Sequence, residues 1–289
     1  MTSLWLNVLA SGILMGLVYG LIALGLTIVF GVTRIVNFAH GELVVFGLYI
    51  GYCTGAWWGM PTIVAAVIAG VMLFALGYLL EITVVKRFVA RPHHVQFIVF
   101  IGLSLLMGGI QLIAFGPDPR PSVSQLSFET VTIAGVRLDL ARLQAAATAG
   151  LLIVVLGLSL QYTSLGRSVR AAADNRLGGL IVGLNIPRIY ATTFGIGAAC
   201  AGIAGALISP LFDAQPYLAV DFTLLAFVTV IIGGLGSFAG ALLGGLTIGI
   251  AEAVAALLFA PSLKTALSYG LLILVLVFRP RGFLGEKEI

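Results

Sequence analysis

Residues 5–31 read WLNVLASGILMGLVYGLIALGLTIVFG, a run of 27 residues without a charged side chain. A helix crosses the hydrocarbon core of a bilayer with about 20 predominantly apolar residues. No basic residue precedes this run, and the run is longer than the apolar core of a cleavable signal peptide. We therefore interpret it as the first membrane-spanning segment of the chain.

The rest of the chain has the same apolar character. Of its 289 residues 60% are hydrophobic and only 9% are charged, whereas soluble domains carry roughly 25% charged residues. A chain of this length cannot bury so much apolar surface in its own interior, so a soluble globule is excluded and the lipid bilayer is the predicted solvent. The net charge of +4 is spread over short loops, which argues against nucleic-acid binding. Cys53 and Cys200 both lie in apolar stretches and indicate neither a disulfide framework nor a metal site.

The sequence predicts an all-α, polytopic membrane protein that forms a single transmembrane domain over residues 1–289. Its tracts are continuously apolar and lack the alternation of about ten residues that a membrane β-barrel shows. They number about eight and cover residues 5–31, 38–56, 61–85, 95–116, 141–162, 189–211, 222–260 and 262–278.

The seventh tract is too long for one straight helix. Its 39 residues contain one charged side chain, Glu252, and as a single helix they would extend about 58 Å. Glycine weakens a helix by about 1 kcal/mol relative to alanine, so we predict a break in the GGLGSFAG stretch at residues 233–240. The tract then either crosses the membrane twice or enters and leaves by the same face.

Basic residues in short loops predict the orientation, because Lys and Arg concentrate on the cytoplasmic side of a membrane. Loops with acidic or mixed charge are predicted to be external, and the number of crossings then places the N-terminus outside. The predicted cytoplasmic segments are 86–94, 163–187 and 279–289, and the predicted external segments are 117–140 and 212–221.

Glycines spaced four residues apart predict close helix packing, because small residues let helix backbones touch in lipid. Three such triplets indicate a compact bundle of helices. They are Gly12, Gly16 and Gly20; Gly47, Gly51 and Gly55; and Gly236, Gly240 and Gly244.

The NFAHGE stretch at residues 37–42 places Asn37, His40 and Glu42 at the start of the second tract. Ionisable groups at membrane depth are costly and usually face a cavity or a partner, so these residues are candidates for a substrate path, together with Glu252. The alternative is a helix start at the water interface, where Asn37 or His40 caps the helix and its dipole favours Glu42 in the first turn. A helix N-terminus that opens into a transport path would satisfy both interpretations.

The polar segment at residues 164–187 predicts a short cytoplasmic helix. On such a helix Arg167, Arg170 and Asp174 share one face, and Arg170 is spaced to pair with Asp174. Gly178, Gly179 and then Pro187 are expected to end it. The segment is either an interfacial loop in contact with lipid or a knob that inserts into a soluble partner.

No motif for nucleotide binding or bond-making chemistry is present. The chain lacks a GxxxxGK[ST] loop, and none of its three lysines follows a glycine, so a partner must hydrolyse any ATP that is used. A nucleophile and a base are not paired at membrane depth, which argues against an intramembrane enzyme. We expect no metal and no cofactor bound by this chain.

Four motifs, in order along the chain, resemble the permeases of ABC importers for branched-chain amino acids. They are NFAHGE, GRSVRAAADN with the following GLN, IGGLGSFAGALLGG and LILVLVFRPRGFLG. The resemblance implies a subunit of the bacterial inner membrane that pairs with a second, related permease, two ATPase subunits and a periplasmic or extracellular solute-binding protein. It also implies that the 164–187 segment contacts the ATPase, with Gly166, Arg167, Arg170, Asp174, Asn175 and Gly183 as candidate residues.

The substrate and the source of energy stay open at the level of sequence. Similar permeases serve urea, short amides and other small organic acids, although branched-chain amino acids are the main expectation. A different class of protein, an ion-coupled transporter or channel, would use His40, Glu42 or Glu252 to carry a proton or bind a cation.

Overall fold

The computed structural model describes residues 2–122, 129–133, 135–259 and 264–285, and it confirms a helical membrane protein. Over these residues the chain forms eleven helices, one short 3₁₀ turn at Val85–Arg87 and two short strands. The helices are α1 (Thr2–Thr33), α2 (His40–Trp58), α3 (Thr62–Thr83), α4 (His93–Phe115), α5 (Leu140–Tyr162), α6 (Ser164–Asp174), α7 (Arg176–Ile181), α8 (Ile186–Ile208), α9 (Leu218–Gly233), α10 (Phe238–Leu258) and α11 (Lys264–Phe278).

Six of these helices are long and apolar enough to cross a membrane: α1, α3, α4, α5, α8 and α10. The apolar helices at Leu218–Gly233 and Ala266–Phe278 are shorter. α1 lies at the centre of the bundle, where it packs against α5, α8, α9 and α10. α2 is also a core helix, since more than half of its residues are buried.

The predicted break in the seventh tract is confirmed. α9 ends at Gly233 and α10 begins at Phe238, with Gly234 and Gly236 at φ +109° and +82° in the connection. These backbone angles favour glycine because a Cβ would be strained there. Gly244 packs against Thr229 two turns away from the break, so α10 returns antiparallel along α9 rather than continuing its direction.

The second tract begins within the bundle. After α1 the chain runs non-helically through residues 34–39, with Arg34 at φ +56°. α2 then starts at His40, whose ring contacts the carbonyl of Ile22 in the middle of α1. The polar stretch at residues 37–42 therefore lies inside the bundle rather than at the water interface.

The segment at residues 117–140 contains two short β-strands, which the all-α prediction did not include. Strands β1 (Thr130–Ile133) and β2 (Val136–Asp139) pair as an antiparallel hairpin. Gly135 has a φ of +82° between them, as a tight hairpin requires. The hairpin lies outside the apolar tracts, so the helical prediction for those tracts is unaffected.

Close glycine contacts join α1 to α10. A Cβ on Gly16 would lie 2.8 Å from the Cα of Leu246, and a Cβ on Gly12 would lie 2.9 Å from the carbonyl oxygen of Gly249. Gly20 contacts Leu242 less closely. The backbones of the two helices therefore touch along this line, as small residues permit in lipid.

The other two glycine triplets do not act as single ridges. Gly47 and Gly51 pack against α8, whereas a Cβ on Gly55 would have a single neighbour within 4 Å among the described residues, the Ser122 hydroxyl at 3.5 Å. Gly240 and Gly244 pack against α9, but Gly236 stands in the turn before α10 and not in a helix. A ridge through Gly236 is therefore wrong, because the helix begins two residues later.

The two ends of the bundle carry different loops. At the end that we call the hairpin end, the side-chain oxygen of Asn7 accepts a hydrogen bond of 2.8 Å from the backbone N–H of Arg137, and Arg120 pairs with Ala214 through their backbones. At the opposite end, called the α6 end, Val169 of α6 packs with Val32 of α1, Tyr190 of α8 and Val89, which follows the 3₁₀ turn.

The predicted cytoplasmic and external segments thus separate between the two ends. The C-terminal segment also lies at the α6 end, where the N–H of Leu284 bonds the carbonyl of Gly233 at 2.9 Å. Residues 123–128, 134 and 286–289 of these segments lie outside the described residues. Which end faces the cytoplasm stays a prediction from the basic residues.

Candidate functional site

A buried polar cluster surrounds the start of α2. Asn37, His40 and Glu42 are 2%, 1% and 5% exposed. The side-chain oxygen of Asn37 accepts a hydrogen bond of 3.0 Å from the N–H of Ala39, which fixes the turn into the helix. The Nε2 atom of His40 lies 2.9 Å from the carbonyl oxygen of Ile22; a carbonyl only accepts, so this nitrogen carries the proton.

α9 supplies the cap that α2 lacks. The N-cap residue of α2, Ala39, has no side chain able to cap, and the N–H of Gly41 donates instead to the Thr223 hydroxyl at 3.0 Å. A Cβ on Gly41 would collide with the backbone of Ala219. The starts of α2 and α9 therefore meet inside the bundle, with a hydroxyl from one satisfying an N–H of the other.

Glu42 points towards α4. Its Oε1 accepts a hydrogen bond of 2.9 Å from the Ser104 hydroxyl, and its backbone carbonyl accepts one of 3.2 Å from the Gln111 amide. The second carboxyl oxygen of Glu42 is buried without a hydrogen-bond partner among the described residues. Such an atom is costly in an apolar setting, and a role of Glu42 in a substrate path stays a prediction.

Glu252 lies in a separate cluster between α1, α10 and α11. The Tyr19 hydroxyl donates to its Oε2 at 3.0 Å, and the Ser268 hydroxyl donates to its Oε1 at 3.3 Å. Glu252 therefore does not join Asn37, His40 and Glu42 in one site, and the four candidates of the sequence divide between two places.

The segment after α5 forms two short helices rather than one. α6 ends at Asp174, and the side chain of Asn175 then caps α7 by accepting from the N–H of Gly178 at 2.8 Å. Gly178 and Gly179 therefore lie inside α7 and do not end α6, because the Asn175 cap starts a new helix before them. Pro187 lies in the first turn of α8, a position that suits proline.

The predicted pair between Arg170 and Asp174 is wrong. The Arg170 guanidinium donates instead to the carbonyl oxygens of Leu160 and Gln161 at the end of α5. The last carbonyls of a helix have no partner within it, and the helix dipole attracts a cation there. Arg170 therefore fixes α6 to α5.

Gly166 has a packing role beside this junction. It is buried against the backbone of Leu160, so α6 approaches α5 too closely for a larger side chain. Arg167 lies beside it on the surface and donates to the carbonyl of Tyr162 at 3.1 Å. Both residues hold the two helices together.

α7 exposes an apolar surface that the sequence analysis overlooked. Leu177, Ile181 and Val182 are 72%, 85% and 75% exposed at the α6 end, and Gly183 follows at φ +83°. The sequence feature that could have predicted this surface is the apolar triplet LIV at residues 180–182, which is unusual in a polar loop. Exposed apolar side chains grouped among polar ones are typical of a surface that binds another protein or the membrane.

The sequence analysis also did not identify the polar side chains that form hydrogen bonds with the candidate residues inside the bundle. Ser104 and Gln111 lie seven residues apart on α4, a spacing that puts them on one helix face, and this periodicity could have identified them. Tyr19 and Thr223 carry no comparable signal, because their partners Glu252 and Gly41 are far away in the chain.

Comparison with known proteins gives a consistent result over nearly the whole chain. The family described as "Branched-chain amino acid transport system / permease component" matches residues 8–276. The permease protein LivH of Escherichia coli strain K12 is 31% identical and the permease protein BraD of Pseudomonas aeruginosa is 31% identical, each over 99% of this chain and 97% of the relative. Both relatives are named as parts of high-affinity branched-chain amino acid transport systems.

Two further proteins are more distant. The permease protein LivM of Escherichia coli strain K12 is 26% identical over 93% of this chain and 68% of its own length. A solved structure, PsaBC from Streptococcus pneumoniae in complex with Fab, has a chain that shares the fold with a TM-score of 0.50 at 12% identity, over 95% of this chain and 91% of that one. The chain described here belongs to the family of branched-chain amino acid transport permeases, multi-pass membrane subunits that transport a solute and are not enzymes.

Proposed function

We propose that this chain is the membrane-spanning subunit of an ATP-driven importer for branched-chain or similar amino acids in the bacterial inner membrane. The observation that carries the proposal is the 31% identity to LivH and BraD over almost the full length of all three proteins. Urea, short amides and small organic acids are the alternative substrates.

The proposed assembly contains a second permease, two ATPase subunits and an external solute-binding protein. Similarity to both LivH and LivM supports a pair of related permeases. ATP is assigned to the partner subunits because this chain has no phosphate-binding loop, and this chain itself is proposed to bind no cofactor.

The segment at residues 163–187 is proposed to couple the permease to an ATPase. Two features support α7 as its contact surface. The arginine of α6 that the sequence favoured, Arg170, is engaged with the end of α5, whereas Leu177, Ile181 and Val182 are free to enter a cleft. We therefore assign positioning to α6 and contact to α7.

The experiment is uptake into proteoliposomes that contain the whole assembly, with ATP inside where the ATPases lie. We expect uptake of labelled leucine that requires the binding protein and stops when the ATPases carry a substitution that blocks hydrolysis. Uptake of urea or acetamide in place of leucine would change the proposed substrate class. Leucine uptake by this chain alone, driven by a pH gradient without ATP, would instead identify an ion-coupled transporter.

A further inference from the structure

A small cavity at the hairpin end of the bundle contains both a cationic and a carboxyl side chain. Its volume is about 180 Å³, much larger than the roughly 30 Å³ of one water in the liquid and below the roughly 300 Å³ at which pockets for drug-sized ligands begin. It therefore suits a small metabolite. Its polar lining comes from Ser11, Tyr19, Arg142 and Glu252, and Met15, Leu211 and Phe212 contribute apolar surface.

The two charged residues of the cavity do not pair with each other. The Nε atom of Arg142 is buried without a hydrogen-bond partner among the described residues, although a guanidinium offers five donors. Glu252 instead receives the hydroxyls of Tyr19 and Ser268, which hold its carboxyl in one orientation. A purely structural ion pair would bring the two groups together, because an unpaired charge next to an apolar interior is costly.

The positions of both groups are fixed by the fold. Arg142 lies in the first turn of α5, where its N–H and that of Ala141 bond the side chain of Asp139 at 3.4 and 2.9 Å. Glu252 lies on α10, which is held against α1 by the glycine contacts of Gly12 and Gly16. The backbone positions of the two residues are therefore set by helix capping and helix packing, as a preformed binding site requires.

We propose that this cavity binds the zwitterionic head of an amino acid, with Arg142 on its carboxylate and Glu252 on its ammonium group. A guanidinium binds a carboxylate through two parallel hydrogen bonds, and the Glu252 carboxyl provides an acceptor for N–H donors. The apolar side chains of the cavity contact an aliphatic side chain. The proposal rests on the function proposed above for its substrate class, and it excludes urea, which carries neither charge.

The first test is a competition experiment with the purified full-length chain in lipid nanodiscs. Labelled L-leucine is the probe, and the competitors are 4-methylpentanoate, which lacks the amine, and 3-methylbutylamine, which lacks the carboxylate. We expect unlabelled leucine to compete at least about tenfold better than either, a factor equal to about 1.4 kcal/mol. Equal competition by a half-molecule, or no leucine binding at all, would overturn the proposal.

The second test uses charge-removing variants with matched controls. Arg142→Gln and Glu252→Gln are expected to weaken leucine binding at least about tenfold, and Arg142→Lys is expected to restore part of the loss. Arg137→Gln and Asp213→Asn change exposed residues at the same end of the bundle and should bind as wild type does. Elution as a single species in size-exclusion chromatography shows that a variant has folded; if one has not, the competition series on the wild type decides.

The two proposals fail in different ways. Suppose that the whole assembly takes up leucine but that Arg142→Gln and Glu252→Gln bind leucine as wild type does. This result would refute the proposed site and would still support the importer function. Urea uptake without any amino-acid uptake or binding would refute both.

Discussion

The hydroxyl of Tyr19 donates a hydrogen bond of 3.0 Å to the carboxyl of Glu252, across 233 positions of sequence. It joins α1 to α10 at the point where glycines bring the two helices into contact. Tyr19 is only 5% exposed, so its hydroxyl is largely shielded from bulk water. This bond therefore both stabilises the helix pair and orients the only charged side chain of the tract at residues 222–260.

Removal of this hydroxyl should destabilise the protein. Tyr19→Phe is expected to lower the free energy of unfolding by about 1–3 kcal/mol, since hydrogen bonds to charged groups contribute about 1.5–3 kcal/mol. Thermal unfolding in detergent measures the effect. Tyr217→Phe, at a residue 64% exposed, is the matched control and should melt as wild type does; equal melting of the two variants would show that the bond contributes nothing.

Two threonines of α9 provide a second comparison. Thr223→Val removes the acceptor of the Gly41 N–H, and an unsatisfied buried donor costs about 1–3 kcal/mol. The Thr229 hydroxyl is fully buried without a hydrogen-bond partner in the part of the chain that the structure describes, so Thr229→Val should be neutral or stabilising. Melting temperatures that fall equally for both variants would contradict the role of Thr223 as a cap.

The glycine contacts between α1 and α10 predict a steric effect. Gly16→Ala would place a Cβ 2.8 Å from the Cα of Leu246, and overpacking of this kind costs about 1–3 kcal/mol. Gly102→Ala on α4 meets no atom of the described residues within 4 Å and should gain up to about 1 kcal/mol from helix propensity. The shift of the thermal midpoint should therefore have opposite signs in the two variants, and the same sign in both would refute the close approach.

Hydropathy predicted the helices and the glycine break because both depend on local composition. The same reasoning failed for Arg170, because a spacing of four residues indicates a pair but not the competing carbonyls of Leu160 and Gln161. For a related reason, the sequence did not predict that Tyr19, Arg142 and Glu252 lie together. These residues lie on three helices, and a single sequence carries no record of which helices become neighbours.

The apolar surface of α7 predicts a specific loss of assembly. Ile181 is 85% exposed, so Ile181→Ser should leave the thermal stability of the isolated chain unchanged. If the side chain enters a cleft of an ATPase, its loss should weaken binding roughly tenfold to a hundredfold, since burial of an aliphatic side chain contributes about 1.5–3 kcal/mol. Co-purification with the ATPases from membranes measures this change.

Leu235→Ser is the control for that experiment. Leu235 is 44% exposed in the turn between α9 and α10, at the same end of the bundle but outside α6 and α7. It should assemble as wild type does. Normal assembly of Ile181→Ser would place the ATPase contact elsewhere, and equal loss in both variants would indicate a general effect of polarity at this end.

The orientation of the bundle is tested by single cysteines on a background in which Cys53 and Cys200 are replaced by alanine. Arg137→Cys probes the hairpin end and Leu177→Cys probes the α6 end, and both positions are exposed. Basic residues concentrate at the α6 end, and short basic loops stay in the cytoplasm. A membrane-impermeant maleimide added to spheroplasts should therefore label Arg137→Cys at once and Leu177→Cys only after lysis. The opposite order would show that the bundle has the inverse orientation, with α7 outside the cell. That result would contradict both the proposed ATPase contact and an external position for the amino-acid cavity.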